Sequence, residues 1–158
     1  MGKTPRQAVD ELYAFYAETV RALGEDGWQD PPSDGNVDGQ IPDPCRLSDG
    51  SQGVRYTTWL DGPGHIDAEA AAHRVAEIWR ERGLVVVDRV PVGREDPQVE
   101  TRGSNEWVVA QYTADATGSS LQILSACVPG SEEVLHRKIV ENRERRAHPS
   151  PSVSSPAG

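Results

Sequence analysis

The segment Asp34-Gly35-Asn36-Val37-Asp38-Gly39-Gln40-Ile41 opens like a calcium loop. Side-chain oxygens stand at its first, third and fifth positions, glycine at the sixth and an apolar residue at the eighth. Asp34, Asn36 and Asp38 are therefore the candidate metal ligands. The twelfth position, where such a loop places a bidentate carboxylate, holds Cys45. Without those two oxygens and their charge, any calcium affinity is expected to be weak, and a solvated Asp/Gly loop is the preferred reading. No other cofactor is implied.

Four further patterns have the residue types for chemistry. Gly62-Pro63-Gly64-His65-Ile66-Asp67 has the layout of a dinucleotide fingerprint, with Asp88 at the right remove. Asp67, however, puts a carboxylate where a pyrophosphate would meet the helix N-terminus, and Pro63 removes a backbone donor. A turn followed by an N-cap explains the segment better. Glu69, His73, Glu77 and Glu81 recur at steps of four and form either a metal-ligating ridge or, preferably, a solvated face. Glu133 and His136 carry the Glu-x-x-His spacing of di-iron bundles, but only once. His65 falls in a turn and His148 in the tail, poor places for catalysis. Nucleophile-elbow and phosphate-loop motifs are absent from the sequence.

Four tryptophans beside a single phenylalanine are unusual. Trp79 belongs to a helical core stripe and Trp28 to a loop. Trp59 and Trp107 fall on strand-like runs whose same-face neighbours are polar, Arg55 and Thr57 for one, Gln111 and Thr113 for the other. They are the candidate binding residues, on a sheet face opposite the second helix. The competing reading is that the first helix or the long loop covers them. Cys45 and Cys127 are too few for a zinc cage and form either one disulfide or two buried thiols.

The elements that must hold these residues follow from caps and periods. Thr4, Pro5 and Gln7 start a helix that runs through Val9, Leu12, Tyr13, Tyr16, Val20 and Leu23 and ends at Gly24. Residues 25–53, dominated by Asp, Gly and Pro, read as a long loop. Residues 53–61 alternate and form one strand; Asp67 caps a helix with the stripe Ala68, Ala71, Ala72, Val75, Ile78 and Trp79; residues 84–90 form the next strand. Strand, helix and strand suggest a right-handed crossover with two parallel strands. After a polar loop to Ser104, residues 106–114 and 119–128 form a hairpin around Asp115-Ala116-Thr117-Gly118, and Ser131 caps a charged helix. The expected fold is α+β, a mixed sheet of about four strands covered by two to three helices. It occupies one domain over residues 4–146, with residues 147–158 a disordered tail.

Composition bounds the function. The 158 residues carry a formal charge of -9, which opposes binding to nucleic acid. Leu, Ile, Val and Phe together make up just under one fifth of the chain, but only four of them fall in 25–53 and 147–158, so the remainder can build a core. No apolar run approaches the length of a membrane span.

Three stretches carry a resemblance. Pro44-Cys45-Arg46-Leu47-Ser48-Asp49-Gly50-Ser51-Gln52-Gly53-Val54-Arg55-Tyr56, Ile78-Trp79-Arg80-Glu81-Arg82-Gly83 and Cys127-Val128-Pro129-Gly130 are similar to small uncharacterised lipoproteins of actinobacteria. The likeness spans residues 12–130. It implies a domain outside the membrane on a lipid tether, with Cys45 paired to Cys127, and it brings no activity or catalytic residue. The sequence departs from that pattern at Met1-Gly2, which begins neither a signal peptide nor a lipobox. A cell-envelope location is expected, and a cytoplasmic one if Met1 is the native start. The leading expectation is a non-enzymatic extracytoplasmic domain that binds a small molecule, an envelope component or a partner protein. The alternatives are a metal-dependent or hydrolytic enzyme, and an acidic inhibitor or immunity-type protein that meets a basic partner.

Overall fold

A computed structural model of the chain describes residues 3–31, 41–89 and 98–147. The candidate ligands Asp34, Asn36 and Asp38, and the tail beyond Ala147, lie outside these residues. Among the described residues the chain forms three helices and eight strands in two sheets, an α+β fold.

Helix α1 (Pro5–Leu23) begins as the sequence dictates. Thr4 Oγ1 accepts from the Gln7 N–H (3.1 Å), Gln7 Oε1 accepts from the Thr4 N–H (2.8 Å), and Pro5 fills the first turn. Gly24 closes it at φ 65°, a left-handed conformation that glycine adopts without strain. The buried stripe comprises Ala8, Val9, Leu12, Phe15, Tyr16, Thr19 and Leu23. Tyr13 and Val20 are only half-buried at its margins.

A small antiparallel sheet contains β1 (Asp43–Arg46), β2 (Gln52–Arg55) and β8 (Val128–Pro129), in the order β1-β2-β8. Part of the expected loop is thus a strand. β1 reads Asp-Pro-Cys-Arg, with no apolar alternation to betray it. The second sheet contains β3 (Thr57–Gly62), β4 (Val85–Arg89), β5 (Val99–Ser104), β6 (Val108–Ala114) and β7 (Ser119–Ser125) in the order β3-β7-β6-β5-β4. All its pairings are antiparallel.

Two expectations about strands change. The alternation over 53–61 belongs to two strands rather than one, parted at Tyr56. Val54, Tyr56, Thr58 and Leu60 do bury one continuous face. Their hydrogen-bond partners nevertheless switch from β8 to β7, because β7 ends at Ser125, whose hydroxyl accepts from the Tyr56 N–H (2.9 Å). The expected parallel neighbours also fail to pair. β3 and β4 point the same way but form opposite edges, with β7, β6 and β5 between them. Periodicity reports which way a residue faces and is silent on which strand lies next door.

Helix α2 (Ala68–Glu81) is capped by Asp67, whose carboxylate accepts from the Ala70 N–H (3.0 Å). It lies over β4, β5 and β6, while α1 lies over β7. Both helices therefore cover the same face of the large sheet. Trp79 is the centre of this layer: fully buried, its Nε1–H donates to Thr19 Oγ1 (3.1 Å), and its ring packs on Phe15 at 5.7 Å. β5, expected as loop, is hidden from periodicity because its inward residues are Val99, Thr101 and Gly103. The Thr101 hydroxyl, with one proton to donate, has two acceptors in reach, Asp88 Oδ1 (2.9 Å) and the Ala72 carbonyl (3.2 Å), and Gly103 leaves room for the Trp79 indole. Helix α3 (Glu132–Ala147) starts where Ser131 Oγ accepts from the Val134 N–H (3.3 Å), and it buries Ile139 and part of Leu135.

Candidate functional site

Strands of the large sheet send alternate side chains to the helices, among them Leu60, Leu121, Ile123, Ala110 and Tyr112. The other set points away, and none of its members is buried. Strand register lays this open face out in rows. Trp59, Gln122, Gln111, Arg102 and Val87 form the middle one; Asp61, Ser120, Thr113, Glu100 and Arg89 flank it on one side. Thr57, Leu124, Val109, Ser104 and Val85 flank it on the other.

Trp59 is 59% exposed on edge strand β3, an uncommon exposure for so large an apolar ring. Its strand is anchored. The Gln29 N–H donates to the Asp61 carbonyl (2.8 Å), and Gln29 Oε1 accepts from the Asp61 N–H (3.2 Å). The Gln29 carbonyl in turn accepts from the Tyr16 hydroxyl (2.5 Å). Trp28 packs over Gly62, where a Cβ would stand only 2.5 Å from its ring, and beside Tyr16 and Tyr112. The loop tryptophan is thus an extension of the core that holds the edge of the site.

Beside Trp59 lies a shallow depression of about 370 Å³, bordered by Asp61, Thr113, Ser120, Gln98 and the 115–118 turn. Asp115 shapes that turn by accepting from the Thr117 hydroxyl (2.7 Å), the Thr117 N–H (2.8 Å) and the Gly118 N–H (3.0 Å). These bonds, the Thr117 hydroxyl first, hold its carboxyl below the usual carboxylate range, so it is charged at the rim.

Trp107 does not join Trp59. Asn105 Oδ1 accepts from the N–H groups of Trp107 (2.7 Å) and Val108 (2.9 Å), a turn that breaks the alternation just before β6. The indole lands on the helix side, half-buried against the core, beneath the Lys3 ammonium. It lines a cleft of about 150 Å³ with Glu11, Phe15 and Glu18 of α1. The two candidate binding residues therefore lie on opposite sides of the sheet.

One pair passed over in the sequence meets in space. His65 Nε2 lies 2.8 Å from Glu25 Oε2, each side chain about one fifth exposed, beside a cavity of about 360 Å³. Behind it the Tyr112 hydroxyl is pushed up to about 12, by burial first and by the Glu25 charge second. The cavity is lined by Leu23, Asp67, Ala70, Ala71 and Arg74, with no hydroxyl or thiol among them. Asp67 is spent on the helix cap and Arg74 on the carbonyls of Ala22 and Leu23 (3.2 and 3.3 Å). The lining offers no side-chain nucleophile for covalent catalysis. The His65–Glu25 pair ties the end of α1 to the connection before α2.

The other motifs resolve locally. His73 stands 3.6 Å from both Glu69 and Asp88, and Asp88 is also 3.6 Å from Arg80. Glu133 meets Arg137. Among the described residues no three His, Cys, Asp or Glu side chains gather as a metal set would require. Cys45 and Cys127 form a disulfide with Cα atoms 6.1 Å apart, the pairing the resemblance implies. It spans Gly53 of the middle strand β2, where a Cβ would meet Cys127 Sγ at 2.7 Å and the Val128 carbonyl at 2.8 Å. No helix among the described residues is long and apolar enough to cross a membrane.

No family model and no curated protein matches the chain. Among solved structures it is similar to a DUF4853 family protein from Actinomyces odontolyticus, at 13% identity and a TM-score of 0.48, covering 80% of this chain and 67% of that one.

Proposed function

We propose that this chain is a non-enzymatic, extracytoplasmic domain of the cell envelope that binds its ligand on the open face of the five-stranded sheet, centred on Trp59. The exposed indole on an anchored strand carries the reading, since a rigid aromatic gives large contact area with little ordering entropy. The disulfide supports an oxidising compartment. The test is retention of labelled protein on washed envelopes from the native host. Trp59→Ala should lower it about tenfold, the scale of a lost aromatic contact, while Trp107→Phe should leave it within twofold. Unchanged retention of Trp59→Ala would refute the assignment of the face.

A further inference from the structure

We infer that the ligand of the Trp59 face is a neutral saccharide chain. This rests on the open face being the binding surface, and it names what that surface takes. A pyranose ring has a flat C–H face and a rim of hydroxyls, so its recognition needs an exposed aromatic plane with hydroxyl, amide or carboxylate groups beside it. Trp59 supplies the plane. Directly across the strands stand Gln122 and then Gln111, two amides that each donate and accept. At roughly 4.8 Å per strand they extend the row about 10 Å from the indole, a span for a chain rather than a single ring. Asp61, Ser120 and Thr113 offer a carboxylate and two hydroxyls along the adjoining row. Gln111 Nε2 donates to Thr113 Oγ1 at 3.5 Å, a long bond on the open face that a ligand hydroxyl can replace.

Charge and shape narrow the ligand further. The chain carries -9, yet this face bears two acids and two bases, Asp61 and Glu100 against Arg89 and Arg102, and Arg102 is already paired with Glu100. Asp61 and Asp115 beside the indole would repel a polyanion. The depression is open and shallow, suited to a chain crossing it; small-molecule sites enclose most of their ligand. A protein partner or a second copy would be anchored best by an apolar cluster at the centre of the patch, around the tryptophan. Of the exposed apolar residues of this face, Val85 and Val87 lie on the far edge strand β4, and Val109 stands on the central strand β6 beyond half-buried Leu124 of β7, whereas the residues across from Trp59 and along its depression are Gln122, Asp61, Ser120 and Thr113.

The experiment is an amide and indole NMR titration of the whole 15N-labelled chain. The probes are neutral oligosaccharides of glucose, mannose, galactose, arabinose and N-acetylglucosamine, with polygalacturonate and chitosan oligomers as anionic and cationic counterparts. At least one neutral probe should shift the Trp59 indole N–H and the Gln122 and Gln111 side-chain amides. Trp59→Ala should weaken that binding about tenfold, Trp59→Tyr should keep most of it, and Gln122→Ala should lower it about threefold. Shifts with only a charged probe would overturn neutrality. If no saccharide shifts these signals but a protein fraction of host envelopes does, the saccharide inference fails and the binding face stands. If neither moves them, both fail. Ligand-free shifts at the face that grow with protein concentration would assign it to a second copy and overturn the inference.

Discussion

Replacing Gly103 by alanine should drive a methyl group into the largest fully buried side chain among the described residues, Trp79. A Cβ at that position would stand 2.6 Å from Trp79 Cε3, 3.3 Å from Trp79 Cδ2 and 3.1 Å from Leu84 Cδ2. The indole cannot retreat cheaply, since it is fully buried, packed at a tilt against Phe15 and tied through Nε1–H to Thr19. The clash must move β5 away from α2, and overpacking of this kind costs roughly 1–3 kcal/mol. Against it stands the smaller unfolded-state entropy of alanine, worth about 0.4–1 kcal/mol. The net expectation is a loss of about 1–2 kcal/mol, which for a chain of this size lowers Tm by roughly 2–8 °C. Calorimetry or circular-dichroism melting measures it. A double-mutant cycle isolates the cause: Trp79→Phe alone loses the Thr19 bond and leaves space, and the added methyl of Gly103→Ala should fill part of that space. The double variant should then be more stable than the two single losses predict by about 1 kcal/mol. An unchanged melting point for Gly103→Ala, or strict additivity in the cycle, would refute the steric argument.

Three further outcomes follow from other contacts. The unreduced protein should show no free thiol after unfolding, and Cys45→Ser/Cys127→Ser should lose roughly 4–5 kcal/mol for a separation of 82 residues, as read by urea unfolding; two reactive thiols would sink the pairing. Tyr16, Tyr56 and Tyr112 are each pushed up to about 12, by burial above all, with Asp30 and Asp61 adding to it for Tyr16 and Glu25 for Tyr112. Because the unfolded chain gives up these protons near pH 10, their stabilisation is whole below that pH and is lost as pH rises toward 12; full ionisation at 295 nm near pH 10 with the fold intact would contradict it. Calcium should bind the 34–41 segment no tighter than about millimolar, since the twelfth position is a cysteine whose sulfur is held by Cys127; micromolar affinity abolished by Asp34→Ala would reverse that reading.

What the sequence disclosed depended on which interaction decided each element. Caps are local, so Thr4, Gln7 and Gly24 could be read directly, and so could the Asp115 turn and the hairpin it joins. β1 was illegible because its Asp-Pro-Cys-Arg run has no apolar alternation and its pairing comes from the main chain, and β5 because two of its three inward positions are Thr101 and Gly103 under Trp79. Trp59 was legible as a face residue because β3 keeps strict alternation through it. Trp107 was not, because a single Asn105 side chain captures two N–H groups and turns the chain before the strand begins. The His65–Glu25 contact joins residues forty positions apart, and no local pattern announces such a meeting.

The disulfide also sets what a protease can release. Its covalent ring encloses the whole five-stranded sheet and α2, leaving α1 and α3 as the two arms outside it. A single backbone cut anywhere between residues 46 and 126 would leave the two fragments joined through sulfur, with either side of the nick still threaded into the same ladder of strands. Only a reductant, or a second cleavage, would set a piece free. One scission thus leaves the chain in a single covalent piece, which it does not for an unstapled sheet.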